Sequence, residues 1–214
     1  MEKCLICGGK TQSFTHPKTH MVFHKCSFCE AIFKDSGTYP NKQDEEKRYL
    51  EHNNELTNQG YVNFLQKFID LAIKPYLSQG HLLDFGSGPK PVLKWLLEKQ
   101  GYLVDCYDPF FSKDMSLDDD LYDMITATEV MEHVHYPKEA LSWIDQHTKP
   151  GGFISFMTLF YPKDQETFFK WFYIRDYTHV VFYTTKTFEV IAEMMQWHLL
   201  KHDDYRVVVF QKRS

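Results

Sequence analysis

The sequence contains no hydrophobic run long enough to cross a membrane, because no stretch approaches the ~18–20 consecutive apolar residues that such a helix requires. Its beginning, Met1-Glu2-Lys3-Cys4, has no apolar signal core. Internal repeats and low-complexity tracts are also missing. These absences argue against a membrane protein and a repeat architecture, and we expect a cytoplasmic protein.

Clustered basic residues are missing as well. The chain has 24 Lys and Arg against 29 Asp and Glu, which gives a formal net charge of −5. Because proteins that bind nucleic acid neutralise phosphates with grouped lysines and arginines, we expect no nucleic-acid partner. With 214 residues, the chain is long enough for one medium-sized α/β domain and a small appendage. The sequence leaves the oligomeric state open.

Four of the five cysteines form two C-x-x-C pairs, Cys4 with Cys7 and Cys26 with Cys29, separated by eighteen residues. Each pair presents two thiolates from one tight turn, and two pairs complete a tetrahedron, so the spacing predicts a structural zinc site. Disulfides are the alternative, which the missing signal core disfavours. Four thiolates are enough to complete the coordination of zinc, so we expect the histidines between the two pairs to be ordinary surface residues. These are His16, His20 and His24.

Turn-forming residues and changes in the hydrophobic pattern divide the chain into three predicted parts. These are a zinc-ribbon-like segment (1–40), a helical cover or linker (41–75) and an α/β domain (76–214). Gly37 and Pro40 mark the first boundary. Apolar residues at three- and four-residue spacing from Tyr61 to Ile73 predict a helix. The charged stretch from Asp44 to Asn58 is interpreted as a looser helix or cover segment.

The third part alternates between strand and helix patterns, which predicts a parallel sheet with right-handed crossovers. Strands are predicted at 81–85, 102–107, 122–127, 152–158, 197–203 and 205–212. Helices are predicted at 91–99, 138–147 and 185–195.

A glycine turn, Asp84-Phe85-Gly86-Ser87-Gly88, lies between the first predicted strand and its helix. Such a turn lets backbone N–H groups approach a ligand closely. Asp108 ends the second predicted strand about twenty residues later, where a carboxylate can bind both ribose hydroxyls. Pro91 stands where the dinucleotide fingerprint G-x-G-x-x-G has its third glycine, which counts against a nicotinamide cofactor.

Together with the stretches Tyr122–Val134 and Lys149–Gly152, these motifs resemble the ordered motifs of class I, Rossmann-like S-adenosylmethionine (SAM)-dependent methyltransferases. The resemblance extends from about residue 60 to the end. It implies an α/β fold with a seven-stranded type of sheet, mostly parallel with an antiparallel last strand, preceded here by a small N-terminal zinc ribbon. Tyr122 follows only fourteen positions after Asp108, so we expect the third strand to be shortened or missing.

The resemblance also implies a set of cofactor-binding residues: Asp84, Phe85, Gly86, Gly88, Asp108, Thr128 and Glu129. The loop residues would hold the amino-acid part of SAM, Asp108 its ribose, and the last two would line the pocket near the methionine moiety. Phe110 and Phe111 are candidates for flanking the adenine. We interpret Asp118, Asp119 and Asp120 as a solvated turn.

Methyl transfer is an in-line displacement at a sulfonium, so the protein supplies alignment and in some cases a base. His179 is the predicted base, because it lies in an aromatic-rich insertion before the last helix, and His133 is the second catalytic candidate. The set Glu129-x-x-Glu132-His133 with His179 resembles one that binds a divalent metal in some ubiquinone-type and RNA-end methyltransferases. Alternatively, Glu132 and His133 only fix the helix start and the cofactor pocket.

The insertion, Phe168 to Tyr183, has aromatic side chains that can form a substrate lid or pack against the sheet. Its Arg175 can pair with an anionic substrate group or, more commonly for such a residue, with Asp176 or another acid. Further substrate-contact candidates lie in the cover segment: Tyr49, His52 and Asn53.

The predicted function is transfer of a methyl group from SAM to an oxygen or carbon atom of a small-molecule acceptor. One alternative is a non-catalytic protein whose ribbon and Rossmann-like domain bind a partner. A second is a nicotinamide-dependent oxidoreductase, which the missing third glycine disfavours.

Overall fold

The structure, a computed structural model, describes residues 2–51, 54–112 and 121–214. The predictions for His52, Asn53 and the three aspartates at 118–120 lie outside the described residues. The strands are β1 (Thr11–Thr15), β2 (Val22–Cys26), β3 (Ile32–Lys34), β4 (His81–Phe85), β5 (Leu103–Tyr107), β6 (Tyr122–Thr128), β7 (Thr148–Met157), β8 (Val181–Phe182), β9 (Trp197–His202) and β10 (Val207–Lys212). The α-helices are α1 (Lys42–Leu50), α2 (Gln59–Ala72), α3 (Val92–Glu98), α4 (Pro137–His147), α5 (Gln165–Lys170) and α6 (Thr185–Met195).

The N-terminal segment forms a small antiparallel sheet in the order β1-β2-β3-β8. Strands β1 and β2 pair along their whole length, and β3 adds to β2. Strand β8 belongs to the aromatic insertion and pairs with β3 through Ile32 opposite Phe182. The predicted ribbon therefore shares a sheet with a segment roughly 150 residues away in the chain. The division at residues 40 and 75 stays a prediction.

The two cover helices begin at asparagine caps. The side chain of Asn41 accepts hydrogen bonds from two backbone N–H groups of α1, and Asn58 accepts one from α2. The helix predicted from Tyr61 to Ile73 is confirmed as α2, whose apolar face is fully buried. That face consists of Leu65, Phe68, Ile69 and Ala72. Burial of each large side chain stabilises the fold by about 1.5–3 kcal/mol.

The central sheet has the strand order β5-β4-β6-β7-β10-β9. Its first four strands are parallel, whereas β10 runs antiparallel to both β7 and β9. The mostly parallel sheet with an antiparallel last strand is confirmed. Between β5 and β6, the described positions 108–112 and 121 contain no strand. The prediction of a shortened or missing third strand also involves positions outside the described residues and stays a prediction.

Helices cover both faces of this sheet. One apolar cluster joins α2 and α3 to one face, and another joins α4, α6 and the cysteine end of the ribbon to the opposite face. None of the helices among the described residues combines the length and apolarity that a membrane-spanning helix needs. The chain passes from β4 to β5 on one side and then returns to β6 on the other side of β4, so the strand order reverses at β4. Such a reversal opens a crevice at the carboxyl ends of these strands.

Candidate active site

A cavity of about 1370 Å³ lies in that crevice, between the carboxyl ends of β4, β5 and β6 on one side and α1 and the insertion on the other. All nine residues predicted to bind the cofactor or to act in catalysis line this cavity. These are Asp84, Phe85, Gly86, Gly88, Asp108, Thr128, Glu129, His133 and His179. They come from the ends of β4 and β6, from the loops that directly follow β4, β5 and β6, and from the insertion before β8, and the fold brings them together.

The glycine loop is held against the end of β5. The backbone N–H groups of Gly86 and Ser87 donate to the carbonyl of Tyr107 at 2.7 and 3.2 Å. Gly86 has a positive φ of 78°, and a Cβ at this position would lie 2.6 Å from Cγ1 of Val130. Both the backbone conformation and the space therefore require glycine here.

Asp108 connects the loops that follow β4 and β5. Its Oδ2 accepts a hydrogen bond from the N–H of Gly88 at 2.9 Å, and its Oδ1 accepts from the N–H groups of Phe110 and Phe111 at 2.8 and 3.1 Å. The ring of Phe110 lies 5.3 Å from that of Tyr49 on α1. Asp108 thus fixes the shape of the cavity as well as presenting a carboxylate to it.

The carboxyl groups of Asp84 and Glu129 line the inner end of the cavity, and that of Glu132 is fully buried next to Glu129 without lining the cavity. Among the described residues, Asp84 Oδ1, Glu129 Oε1 and Glu132 Oε2 have no hydrogen-bond partner. Burial, with the charge of Asp108 adding to it, raises the pKa of Asp84 to about 7. Burial and the neighbouring Glu129 raise the pKa of Glu132 to about 8, and burial raises that of Glu129. Buried acceptors are normally satisfied, so this end is suited to a ligand that donates hydrogen bonds or carries positive charge.

Glu129 adopts a left-handed backbone conformation with φ of 55°, which is uncommon for a residue other than glycine. Its N–H donates to the carbonyl of Met157 at 2.7 Å, which holds it in place. The Tyr173 hydroxyl hydrogen-bonds to Glu129 Oε2 at 3.1 Å and to Glu132 Oε1. Because the hydroxyl has a single proton, it cannot donate to both carboxylates at once. In the sequence, Tyr173 was only one of many aromatics in the insertion, and no signal distinguished it.

The two candidate catalytic histidines lie together, with ring centroids 4.6 Å apart. His133 Nδ1 is 3.1 Å from the carbonyl of Thr178, and His179 Nδ1 is 2.9 Å from the carbonyl of Tyr173. A carbonyl only accepts hydrogen bonds, so both rings carry a proton on Nδ1. In the neutral imidazole, Nε2 is then the basic nitrogen.

The predicted metal set is only partly assembled. Ligand atoms of Glu132, His133 and His179 lie within 4.8 Å of one another. Glu129 is not part of this group. Imidazoles that donate from one ring nitrogen to a backbone carbonyl are oriented as in metal sites, where such contacts fix the ligating nitrogen.

The aromatic insertion both packs and lines the cavity. Phe168, Tyr173 and Phe182 are buried. Phe172 and Tyr177 remain 63% and 44% exposed and face the cavity. Packing of the aromatic side chains is therefore observed, whereas the lid over a substrate stays a prediction.

Of the alternatives for Arg175, the ion pair with Asp176 is not formed. Asp176 pairs instead with Arg48 of α1, whose Nη2 lies 2.7 Å from Asp176 Oδ2. Arg175 is exposed and lines the cavity. Its pairing with an anionic substrate group stays a prediction.

The four paired cysteines converge. The Sγ atoms of Cys4 and Cys29 are 3.5 Å apart, as are those of Cys7 and Cys26, and all four lie within 4.8 Å of one another. A Zn–S bond of about 2.3 Å in a tetrahedron places neighbouring sulfurs about 3.8 Å apart, close to these values. A disulfide requires about 2.05 Å. All five cysteines are free thiols.

The prediction that the three ribbon histidines are surface residues is wrong for two of them. His24 is buried, with Nδ1 3.0 Å from Ser13 Oγ and Nε2 3.2 Å from Asp35 Oδ2. His16 is also buried, and its Nε2 donates to the carbonyl of Phe169 in the insertion at 3.0 Å. His20 is exposed, as predicted.

The comparisons with known proteins agree with this arrangement. Residues 48–202 match the family described as methyltransferase domain. No curated protein sequence matches the chain at a significant level.

Three solved structures show the fold. A chain of the complex between the Haloferax volcanii Trm112 methyltransferase activator and a methyltransferase aligns with a TM-score of 0.60 at 12% identity, over 79% of this chain and 97% of that one. Burkholderia thailandensis 1,6-didemethyltoxoflavin-N1-methyltransferase, solved with 1,6-didemethyltoxoflavin and S-adenosylhomocysteine, aligns with a TM-score of 0.58 at 10% identity, over 96% and 100%. An O-methyltransferase family protein of the same organism aligns with a TM-score of 0.56 at 13% identity, over 79% and 63%.

Proposed function

The chain belongs to the methyltransferase-domain family and is a SAM-dependent methyltransferase, and from this premise we propose that it methylates an oxygen or carbon atom of a small-molecule acceptor. The observation that supports this most directly is the composition of the cavity at the strand ends. It combines a glycine loop at a strand end with buried carboxyl oxygens that have no protein partner among the described residues.

The residues of the inner cavity fit SAM chemically. SAM carries an ammonium group, ribose hydroxyls and a sulfonium, and when bound it supplies the electrophilic methyl group. We assign the ammonium to the unsatisfied oxygens of Asp84 and Glu129, and the ribose to Asp108. Phe85, Gly86, Gly88 and Thr128 would line the same pocket. A cationic ligand would also restore the ionised forms that burial disfavours in these carboxyl groups.

The acceptor is assigned to the outer part of the cavity. A volume of about 1370 Å³ exceeds the ~300–1000 Å³ of typical single-ligand pockets, so it has room for a second molecule beside the cofactor. Three exposed aromatic side chains gather at this outer part: Tyr136, Phe172 and Tyr177. Exposed rings beside a cavity favour a small organic acceptor. We keep the proposals that the protein is cytoplasmic and that nucleic acid is not its substrate.

SAM binding tests the proposal, including the non-catalytic alternative. Calorimetry should show that SAM binds to the wild-type chain and that NADH does not. Asp108→Ala should weaken SAM binding about 10- to 150-fold, because hydrogen bonds to a charged group contribute about 1.5–3 kcal/mol. Asp105→Ala is the control, since Asp105 lies on β5, three residues before Asp108, and its carboxylate contacts His81 and Tyr122 outside the cavity. This variant should leave the affinity unchanged. Absence of wild-type binding at near-millimolar SAM would refute the enzyme assignment.

His179 is proposed as the base that accepts the acceptor proton at Nε2. We expect His179→Ala to lower the rate of methyl transfer about 10²- to 10⁴-fold while SAM affinity changes little. Transfer of labelled methyl groups from SAM into fractions of a small-metabolite extract measures the rate without a known acceptor. His198→Ala is the control, because His198 is exposed on β9, and this variant should keep the wild-type rate. An unchanged rate in His179→Ala would remove this residue from the role.

A divalent cation at Glu132, His133 and His179 is the alternative use of the same side chains, and their clustering within 4.8 Å favours it. The cation would act as a Lewis acid toward the acceptor oxygen. Stimulation of transfer by added Mg²⁺ or Mn²⁺ would support this use over the general-base role.

We further propose that Cys4, Cys7, Cys26 and Cys29 bind one structural zinc ion. Backbone N–H groups also point at the sulfurs, from Ile6 to Cys4 Sγ at 3.4 Å and from Phe28 to Cys26 Sγ at 3.4 Å. Thiolates that accept such bonds are typical of closed zinc sites.

A further inference from the structure

The short segment between the 3₁₀ turn at Phe172–Arg175 and β8 carries His179 and is attached to the ribbon through a buried lysine. Lys34, the last residue of β3, is only 1% exposed. Its Nζ donates to the carbonyl of Asp176 at 2.7 Å, and its backbone N–H donates to the carbonyl of Val180 at 2.9 Å. One ribbon residue thus holds both ends of the segment.

Arg48 of α1 holds the same segment from the other side. Its Nε and Nη2 donate to Asp176 Oδ2 at 3.0 and 2.7 Å. Asp176 Oδ1 in turn accepts from the N–H and hydroxyl of Thr178 at 3.0 and 2.7 Å. Burial alone would raise the pKa of Asp176. The hydrogen bonds from Arg48 and Thr178 outweigh burial and hold this pKa well below its usual range. Asp176 is therefore an ionised anchor between two cations.

These anchors determine how the histidines are presented. The Asp176 carbonyl that accepts from Lys34 also accepts from the N–H of His179 at 3.3 Å. The carbonyl of Thr178 orients the ring of His133. Val180 N–H donates to the carbonyl of Glu132 at 2.8 Å. A shift of the segment would consequently move both imidazoles and the backbone of Glu132 together.

Burial of the Lys34 ammonium costs desolvation free energy, and an apolar side chain of similar size often gives equal or greater stability at such a position. A role beyond stability is therefore expected for this lysine. Burial lowers the pKa of Lys34 to about 8, and the charge of Asp176 opposes this shift. Lys34 does not line the cavity, so it can influence the site only through the segment that it holds.

We propose that Lys34 and Arg48 are positioning residues that clamp Asp176 and thereby fix the Nδ1–H tautomer and the orientation of His133 and His179. The ribbon then contributes to the active site by aligning its histidines. The inference rests on the proposed role of these histidines in methyl transfer, whereas the clamp itself can be measured without an acceptor.

Nitrogen-15 NMR of the imidazoles in the full-length, zinc-replete protein tests the clamp. The wild type should show the Nδ1–H tautomer for His133 and His179. In Lys34→Met, both rings should shift toward a mixture with the Nε2–H tautomer, while SAM affinity measured by calorimetry stays within about threefold, or about 0.7 kcal/mol. Arg48→Met should give the same shift, and Arg48→Lys should restore most of the wild-type spectrum.

Lys47→Met is the matched control, because Lys47 is an exposed cation on the same helix and should leave the spectrum unchanged. If Lys34→Met does not fold, Arg48→Met decides the question, since Arg48 is only partly buried. Unchanged tautomers in the folded variants would overturn the proposal. Failure of the wild type to bind SAM would instead refute the proposed function, and the two results are independent.

Discussion

Replacing Gly86 by alanine is expected to abolish detectable binding of SAM. The new methyl group would lie 2.6 Å from Cγ1 of Val130 and in contact with Cγ2, and residue 86 has φ of +78°. Left-handed strain costs about 1–2 kcal/mol and overpacking about 1–3 kcal/mol. The loop can relieve the clash only by moving away from Val130, which changes the positions of the N–H groups around the cofactor pocket. We expect affinity to fall at least about a hundredfold, or about 2.7 kcal/mol, by calorimetry.

Gly101→Ala separates backbone strain from the clash. Gly101 has φ of +90°, and a Cβ there would have no heavy atom within 4 Å. This variant should lose about 1–2 kcal/mol of stability from the left-handed conformation and keep wild-type SAM affinity. In addition, Val130→Ala should partly restore binding to Gly86→Ala, since the two side chains are in contact. Wild-type affinity in Gly86→Ala would contradict the assignment of this loop to the cofactor.

Removing one zinc ligand should have the second large effect. The wild-type chain, purified without chelator, should contain about one zinc ion, and Cys26→Ser should contain almost none. Structural zinc binding contributes about 10–16 kcal/mol in isolated finger peptides, and it is coupled to folding. Even a net loss of about 3 kcal/mol would lower the melting temperature of a chain this size by about 6–12 °C. Elemental analysis and thermal unfolding measure the two quantities.

Cys106→Ala is the control, because Cys106 lies buried in β5 and is not part of the cysteine cluster. It should retain the zinc and lose only the stability that a small buried truncation removes. Wild-type protein with no metal and five titratable thiols would exclude the zinc site. A further consequence is specific to this fold: β3 pairs with β8, so loss of zinc should also disturb the segment that carries His179.

The residues proposed to bind the cofactor could be predicted from the sequence to lie together, because each of them follows a local rule. The turn at Gly86 and Gly88 follows a strand, Asp108 ends the next strand, and Glu129 ends the third. Neighbouring parallel strands end at one edge of a sheet, so three separate strand ends had to meet. For the cysteines, spacing alone placed four thiols at two turns of one small segment.

The surroundings of the histidines were beyond such reasoning. Lys34 ends a short apolar strand, and nothing local shows that it is buried against Asp176, which lies 142 positions later. Arg48 and Asp176 are separated by 128 positions, and sequence proximity favoured Arg175 instead. Tyr173 meets Glu132 only after the insertion has folded over the strand ends.

The sequence by itself thus determined the family, the glycine turn after β4 and the cysteine cluster, because each depends on a strand end or a turn a few residues long. The tertiary structure alone decided how the ribbon, α1 and the insertion surround the histidines. Burial of a lysine and the choice of an ion-pair partner depend on which distant segments pack together, and that packing is set by the whole apolar core.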